Sequence, residues 1–481
     1  MTGVIIWEDR NLEIYTAKLL LMKTFMNFAI IFFCTVCSTI LCGQNAKTNT
    51  EIAILLKDNV KLSTLHYPKS VIQFYTKNDS EYAWIHTAQK SDQPELAMLL
   101  LEYSYRFGLS LSDYHWEAIS LQKLRKLRDT PVEINQKEVA VFDILMTDAL
   151  ITFINNLHFG KYNPSYNSAY IDTNEINGFR SENALLYARQ HTDFLKAILD
   201  VQPKIKAYTD LQNYLNGLYE ENDCLAPQTE MEKIVINMER LRWINTRDQV
   251  YVLVNIPSYT LEFHQKDSLF EFKVIIGKPT TRTPVLESSI NYFTTAPDWK
   301  VPQSIFIKEM LPKILKNSRY LEDHHYSVYD KQGNEVEISS SKLKEIRQNP
   351  NRYTVRQSSG CDNALGAVVF RFENSYGVYL HDTSQKQLFN KDERALSHGC
   401  IRVENAKELA SLLLKNEGSG NKIPVLENAM AEYKRKDFVL KQPVPIIITY
   451  LTCLIKNGKP VLYKDIYHFD DSLESKFNEN K

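Results

Sequence analysis

Through most of positions 50–245, apolar residues recur at steps of three and four. The period is clearest at Phe142, Leu145, Met146, Ala149, Leu150, Phe153 and Leu157. That spacing places them on one face of a helix, which should stop at Phe159-Gly160, where glycine can turn left-handed. Pro94 predicts the start of another helix over 94–107, closed by Gly108. Helical patterns also cover 181–199, 206–219 and 228–242, with Ser181, Thr209 and Thr229 as cap or first-turn residues, and Asn163-Pro164-Ser165 and Gln202-Pro203 break them. Tyr103, Tyr105, Phe107, Phe194 and Tyr214 read most simply as core, with sugar stacking as the alternative.

At Arg247-Asp248 the pattern changes. Gln249-Val-Tyr-Val-Leu-Val-Asn-Ile is a β-branched and aromatic run ended by Pro257, and Tyr259-Thr-Leu-Glu-Phe alternates as a half-buried strand does. Further strands are expected at 270–277, 289–295, 367–372, 376–380, 445–450 and 459–463. Asn405 with Glu408 has the spacing of a capping box ahead of Leu409, Leu412 and Leu413. Between 306 and 356 the chain turns mixed and polar, and a connection that long is usually a functional lid or disordered. The expected class is therefore α+β and multidomain: a helical region over 50–245, a β-rich domain over 247–470 with an insertion at 306–356, and a polar, frayed tail at 471–481.

The composition, 44% apolar and 24% charged, is that of a globular protein with a substantial core. A net charge of −1 and the lack of a basic stripe argue against nucleic-acid binding. Within the first 43 residues, Lys23 followed by the 18-residue apolar stretch Phe25–Cys42 has the layout of an export signal. An uncleaved membrane anchor is the alternative, because 18 residues is the lower edge of a span. Acidic residues at Glu8, Asp9 and Glu13 suit neither and suggest Met22 as the start. The bulk of the chain is expected outside the cytoplasm, in the periplasm.

Seven cysteines, three of them (Cys34, Cys37, Cys42) in the apolar segment, do not make a disulfide framework. A Cys361–Cys453 bridge stays open on sequence grounds. Cys400 stands out. It lies in Ser397-His398-Gly399-Cys400, nineteen residues after His381, which ends the run Val378-Tyr379-Leu380. A thiol with a pKa of about 8.5 needs a base or a positive charge to act as a nucleophile. His381 would be that base, N–H groups around 398–400 would hold an oxyanion, and Arg402 would bind a substrate carboxylate. Plain structural roles compete for all of these. A zinc site from His381, His398, Cys400 and Cys361 is the main chemical rival, and the adjacent His324 and His325 read as solvated.

The Ser397–Cys400 signature with its upstream histidine resembles the L,D-transpeptidase (YkuD-type) family of cell-wall enzymes. The chain is similar above all to that family's large YcbB-like subgroup, through Asn237-Met-Glu-Arg-Leu-Arg-Trp243, Val274-Ile-Ile-Gly-Lys-Pro-Thr-Thr-Arg-Thr-Pro284, Trp299-Lys-Val-Pro-Gln-Ser-Ile305, Arg356-Gln357, Asn363-Ala-Leu-Gly366 and Asp465-Ile-Tyr467. The resemblance implies a helical scaffold domain followed by a YkuD-like catalytic domain whose insertion is a lid. It implies Cys400 as nucleophile, His381 as general base, His398, Gly399 and Cys400 around the oxyanion, and Arg402, Ser397, Trp299 and Tyr379 toward substrate, with no metal or cofactor. The implied reaction is a 3-3 cross-link between peptidoglycan stem peptides through a cysteine thioester, with carbapenems as acylating inhibitors and cell-wall synthesis proteins as partners. L,D-carboxypeptidase trimming of tetrapeptide stems and a non-catalytic wall scaffold are the alternatives. One departure is that 220–227 leaves no room for the small peptidoglycan-binding module that many subgroup members carry.

Overall fold

The computed structural model describes residues 51–478 apart from 59–61, 86–90, 130–134, 221–227, 245–248, 267 and 318. The export segment, Cys224 and the change of pattern at 247–248 lie outside the described residues. Among the described residues, no helix is long and apolar enough to cross a membrane. The chain divides into two compact units between Gln202 and Pro203.

The first unit is helical and is built around Gln136–Phe159, most of whose side chains are buried. Its buried polar residues are explained by the loops they hold. Asp143 accepts hydrogen bonds from the N–H groups of Ala83, Trp84 and Ile85 and from the Tyr75 hydroxyl, at 2.6–3.0 Å. Asp148 does the same for His66 and Tyr67, and Asp172 for Lys69 and Ser70 at the start of the Pro68–Lys77 helix. A buried carboxylate left without such donors would be costly. Three local expectations change. The 94–107 helix is α only over Gln93–Glu102 and finishes as a 3₁₀ turn, Ser104–Phe107, before left-handed Gly108. The 181–199 pattern splits into Ser181–Gln190 and Phe194–Leu199, because the Asp193 carboxylate caps the Lys196 N–H and starts a new helix. Gly160 ends the long helix as expected and at positive φ, but with φ 84 and ψ 153 it lies in the glycine-only region beyond the left-handed helical one.

The second unit is β-rich. Its strands are β1 (Val250–Asn255), β2 (Thr260–Gln265), β3 (Ser268–Gly277), β4 (Leu286–Thr295), β5 (Trp299–Lys300), β6 (Tyr326–Tyr329), β7 (Thr354–Gln357), β8 (Val368–Phe372), β9 (Leu380–His381), β10 (Ala395–Ser397), β11 (Ile401–Val403) and β12 (Lys436–Thr449), followed by a separate hairpin of β13 (Cys453–Lys456) and β14 (Lys459–Leu462). Nine of them form a sheet in the order β10-β3-β11-β9-β8-β4-β12-β1-β2. The first half of β3 pairs with β2 and its second half with β11 and β10, so the sheet's two ends meet along this strand. Alternate residues such as Val252, Val254, Phe263, Phe293 and Phe370 form one core with Leu409 and Leu413 of the Ala406–Asn416 helix.

β1 reads as a nearly unbroken apolar run because both of its faces are covered. Its other face, Tyr251 and Leu253, packs with Leu211, Leu215, Ile234, Met238 and Leu241 of the Lys206–Glu220 and Gln228–Arg242 helices. These two helices share the period of the N-terminal region but are buried with the β-rich unit. The residues that carried part of the resemblance make this junction. Asn237 bonds both the backbone and the hydroxyl of Thr452, and Arg240 bonds Asp470 at 2.5 Å. Asp470 begins the helix Asp470–Asn478, with Leu473 buried, so the tail expected to fray is helical and docked as far as it is described, to Asn478.

The 306–356 insertion is folded. Phe306, Met310, Leu311, Ile314, Leu321, Val328, Ile346 and Val355 make a core of their own beneath the three-stranded sheet β5-β7-β6. Polar composition hid this because the apolar positions are sparse along the chain and gather only in space.

Candidate active site

Parallel pairing of β9 with β11 puts Leu380 beside Ile401 and His381 beside Arg402. Side chains alternate along a strand. Leu380 and Ile401 therefore enter the core, fully buried, while Tyr379, His381, Cys400 and Arg402 share the opposite face. All four line one cleft of about 490 Å³, walled on the far side by Trp299, Ile305, Glu309, Met310, Tyr320 and Tyr326 from the insertion and its entry strand. His381 and Cys400 are diagonal neighbours across this strand pair.

His381 is 5% exposed, and its Nδ1–H donates to the Asp382 carbonyl at 2.5 Å. That bond selects the tautomer in which Nε2 is the acceptor. Burial first, then the Arg402 cation, lower the imidazole to about 3. Burial pushes the Cys400 thiol up, against hydrogen bonds from the Tyr379 backbone and phenol and the fields of Arg371 and Arg402. The resting pair is thus a neutral thiol beside a neutral imidazole. The imidazole stays unprotonated down to about pH 3, and the thiolate becomes abundant only above the usual thiol range. Alkylation of Cys400 by iodoacetamide, followed site by site by mass spectrometry, should be slower at pH 7 than that of free cysteine and should climb with pH beyond about 8.5. A plateau already reached below pH 7 would mean a resting thiolate–imidazolium pair.

The Tyr379 phenol hydrogen-bonds both Cys400 and Trp299, and the Arg371 guanidinium lies 4.9 Å from the centre of its ring. Around the nucleophile the turn is tight. Gly399 has φ 117, open to glycine but strained for any other residue, although a Cβ there would meet no atom closer than 3.5 Å. Its N–H donates to Ser397 Oγ at 3.1 Å, and that hydroxyl donates to the Cys400 carbonyl at 2.6 Å. Ser397 is buried at the cleft wall, with its hydroxyl engaged within the turn. Gly399 does not offer a free donor, which leaves the N–H groups of His398 and Cys400, without partners among the described residues, to face an oxyanion. The His398 ring instead reaches Glu309, Nε2 to Oε1 at 2.6 Å, on a π-helical turn, Phe306–Met310, of the insertion. Among the described residues Arg402 donates only to the neutral Gln385, at 2.9 Å.

Beyond the turn, Asn405 is left-handed, with φ 51, and its side chain caps nothing, so the expected capping box does not form. Asparagine tolerates this conformation, and it is what swings the chain from β11 into the helix.

Sequence reasoning missed Arg371, Glu309, Gln385 and the Asp382 carbonyl. Arg371 carried a signal, an arginine in an otherwise apolar strand run, Val368-Val-Phe-Arg-Phe. A backbone carbonyl carries none.

The proposed zinc ligands do not gather. Among the described residues the one group with metal-type donors close together is His66, His115 and Asp148, in the helical unit. There the two imidazoles stack at 4.7 Å with 11° between planes, so their in-plane lone pairs run nearly parallel and do not converge. Cys361 is exposed and Cys453 buried, both as free thiols, so they form no bridge.

Fold and site together define a two-part α+β protein whose β-rich unit presents a thiol beside a buried neutral imidazole. Residues 249–446 match the L,D-transpeptidase catalytic domain, and 69–215 match the Scaffold domain. A Haemophilus influenzae protein, named provisionally as an L,D-transpeptidase, is 32% identical over 354 residues, which are 72% of this chain and 70% of that one. The chain belongs to the L,D-transpeptidase family. Solved structures give slighter likenesses. An L,D-transpeptidase from Mycobacterium smegmatis is 14% identical, with TM-score 0.20 over 42% of this chain and 58% of that one. A cysteine-to-serine mutant of the Enterococcus faecium L,D-transpeptidase is 11% identical, with TM-score 0.19 over 42% and 50%. Likenesses this slight carry no argument about the site.

Proposed function

We propose that this protein is a peptidoglycan L,D-transpeptidase that forms 3-3 cross-links between stem peptides through a thioester on Cys400. The observation that carries this reading is the single strand face from which Tyr379, His381, Cys400 and Arg402 enter one walled cleft. In the first half-reaction His381 Nε2 takes the thiol proton as sulfur attacks the carbonyl between diaminopimelate and the terminal D-Ala. The N–H groups of His398 and Cys400 stabilise the tetrahedral oxygen. The C–N bond then breaks, and D-Ala leaves with the proton held by His381. In the second half-reaction a diaminopimelate amine of another stem attacks the thioester, and sulfur is released. Arg402, paired among the described residues only with a neutral amide, suits a stem-peptide carboxylate.

The reading places the enzyme in the periplasm, with the apolar stretch at 25–42 as its export signal or anchor. Intact-mass analysis of protein mixed with a tetrapeptide stem should show a tripeptidyl adduct mapped to Cys400, and the products should include 3-3 dimers. A carbapenem should label the same thiol. D-Ala release without dimers at high acceptor concentration would instead make it an L,D-carboxypeptidase, and no adduct with either reagent would overturn the reading.

A further inference from the structure

We infer that Arg371 is the acceptor-recognition residue, binding the carboxylate that sits on the same carbon as the attacking amine of the acceptor diaminopimelate. This rests on the transpeptidase reading above and assigns one residue within it.

Antiparallel pairing of β8 with β9 joins Val369 to His381 and Phe370 to Leu380. The next step brings Arg371 opposite Tyr379, on the same face as the nucleophile, where its guanidinium stacks on the phenol ring. On the side of Tyr379 away from Cys400 lies an open groove of about 500 Å³ whose lining includes Arg371, Glu373, Asn374 and Gly377. It adjoins the nucleophile's cleft along Gly377, Val378 and Tyr379, which line both. The loop between is braced by Asn374, whose side chain bonds the carbonyls of Phe372 and Val378 and the N–H groups of Tyr376 and Val378. The groove is therefore held in shape before a ligand arrives. Tyr292 continues the row beyond Arg371 at 38% exposure, and Tyr376 stands over the loop at 65%.

No carboxylate pairs with Arg371 among the described residues. A half-buried guanidinium without a counter-ion is unfavourable unless an anion visits it. In the free enzyme its field acts on the thiol. Cys400 is neutral both as the resting thiol and as the thioester, so the guanidinium is open to an anion when the acceptor is required. The acceptor supplies one, since its amine and a carboxylate share a carbon. A bidentate guanidinium–carboxylate pair fixes that carbon's orientation and directs the amine across Tyr379 toward the thioester. The amine nitrogen forms the new C–N bond and the C–S bond breaks. The surplus amine proton passes to His381 Nε2 and then to the departing sulfur.

Lysine is the discriminating probe, because it has the same side-chain amine and lacks only that carboxylate. Acyl-enzyme formed on the tetrapeptide is offered acceptor stems ending in meso-diaminopimelate or in lysine. The wild-type protein should prefer diaminopimelate by about tenfold or more in kcat/KM, mainly through KM. Arg371→Gln should reduce that preference to within about threefold, and Arg371→Lys should retain part of it. Intact mass should still show the Cys400 adduct in both variants. A wild-type enzyme indifferent to the carboxylate, or an acylated Arg371→Gln that keeps the full preference, overturns the inference. Failure of the wild-type protein to form any adduct strikes the transpeptidase reading instead.

Discussion

Cys400→Ala should abolish the tripeptidyl adduct and reduce dimer formation to the uncatalysed background while leaving the fold intact. The sulfur lies at the cleft surface, half-buried, at the end of a turn held by the Ser397 hydroxyl and the Gly399 N–H and by the Thr281 and Thr283 hydroxyls, none of which needs the thiol. Removing one heavy atom from such a place costs on the order of 1 kcal/mol of stability, so the thermal transition should move by only a few degrees. Activity has no such reserve, because nothing else on that strand face can form the covalent bond. The phenol of Tyr379 is held above its ordinary range by burial, and Ser397 Oγ donates to the Cys400 carbonyl. Dimer formation by a well-folded Cys400→Ala protein would remove the nucleophile assignment.

His381→Gln carries the second large effect, a loss of about 10²–10⁴ in the rate of adduct formation, the usual contribution of a positioned general base. Glutamine is the informative replacement, because its amide N–H can still donate to the Asp382 carbonyl that now orients the ring. What is lost is the basic nitrogen. Because burial holds the thiol up, only a small fraction of Cys400 is thiolate at neutral pH without help. Residual adduct formation in the variant should rise about tenfold per pH unit until the thiol titrates. The wild-type rate should be nearly flat over the same range, since its base is already unprotonated there. A variant that acylates at the wild-type rate would leave His381 with only a structural role.

Some features were legible because they are local. The 3.6-residue period at Phe142–Leu157 required one long helix, and the β-branched runs after 248 required strands. His381 and Cys400 were visible as chemistry because a thiol in a Ser-His-Gly-Cys turn has few ordinary neighbours. A glycine within that motif is the residue type that the φ of 117 at Gly399 favours. Other features were illegible for equally definite reasons. Capping at Asn405 depended on a backbone angle, and the core of the insertion depended on apolar residues scattered over fifty positions. Whether the Lys206–Glu220 and Gln228–Arg242 helices pack with helices or with strands is decided by what covers β1, and periodicity is silent on that.

For the active site the division is sharper. The sequence determined which reactive groups exist, with Tyr379 two positions before His381 and Arg402 two positions after Cys400. It also determined the family, through residues such as Asn237 and Arg240 that prove to hold the unit together. Only the tertiary structure decided that those two pairs face the same way, because that follows from the register of β9 against β11. It alone added Arg371 from β8 and the Asp382 carbonyl, and it showed the Ser397 hydroxyl and the Gly399 N–H bonded within the turn. The physical reason is that register, burial and electrostatic field belong to pairs of strands and to the volume between them, and a single strand's sequence specifies only its own alternation.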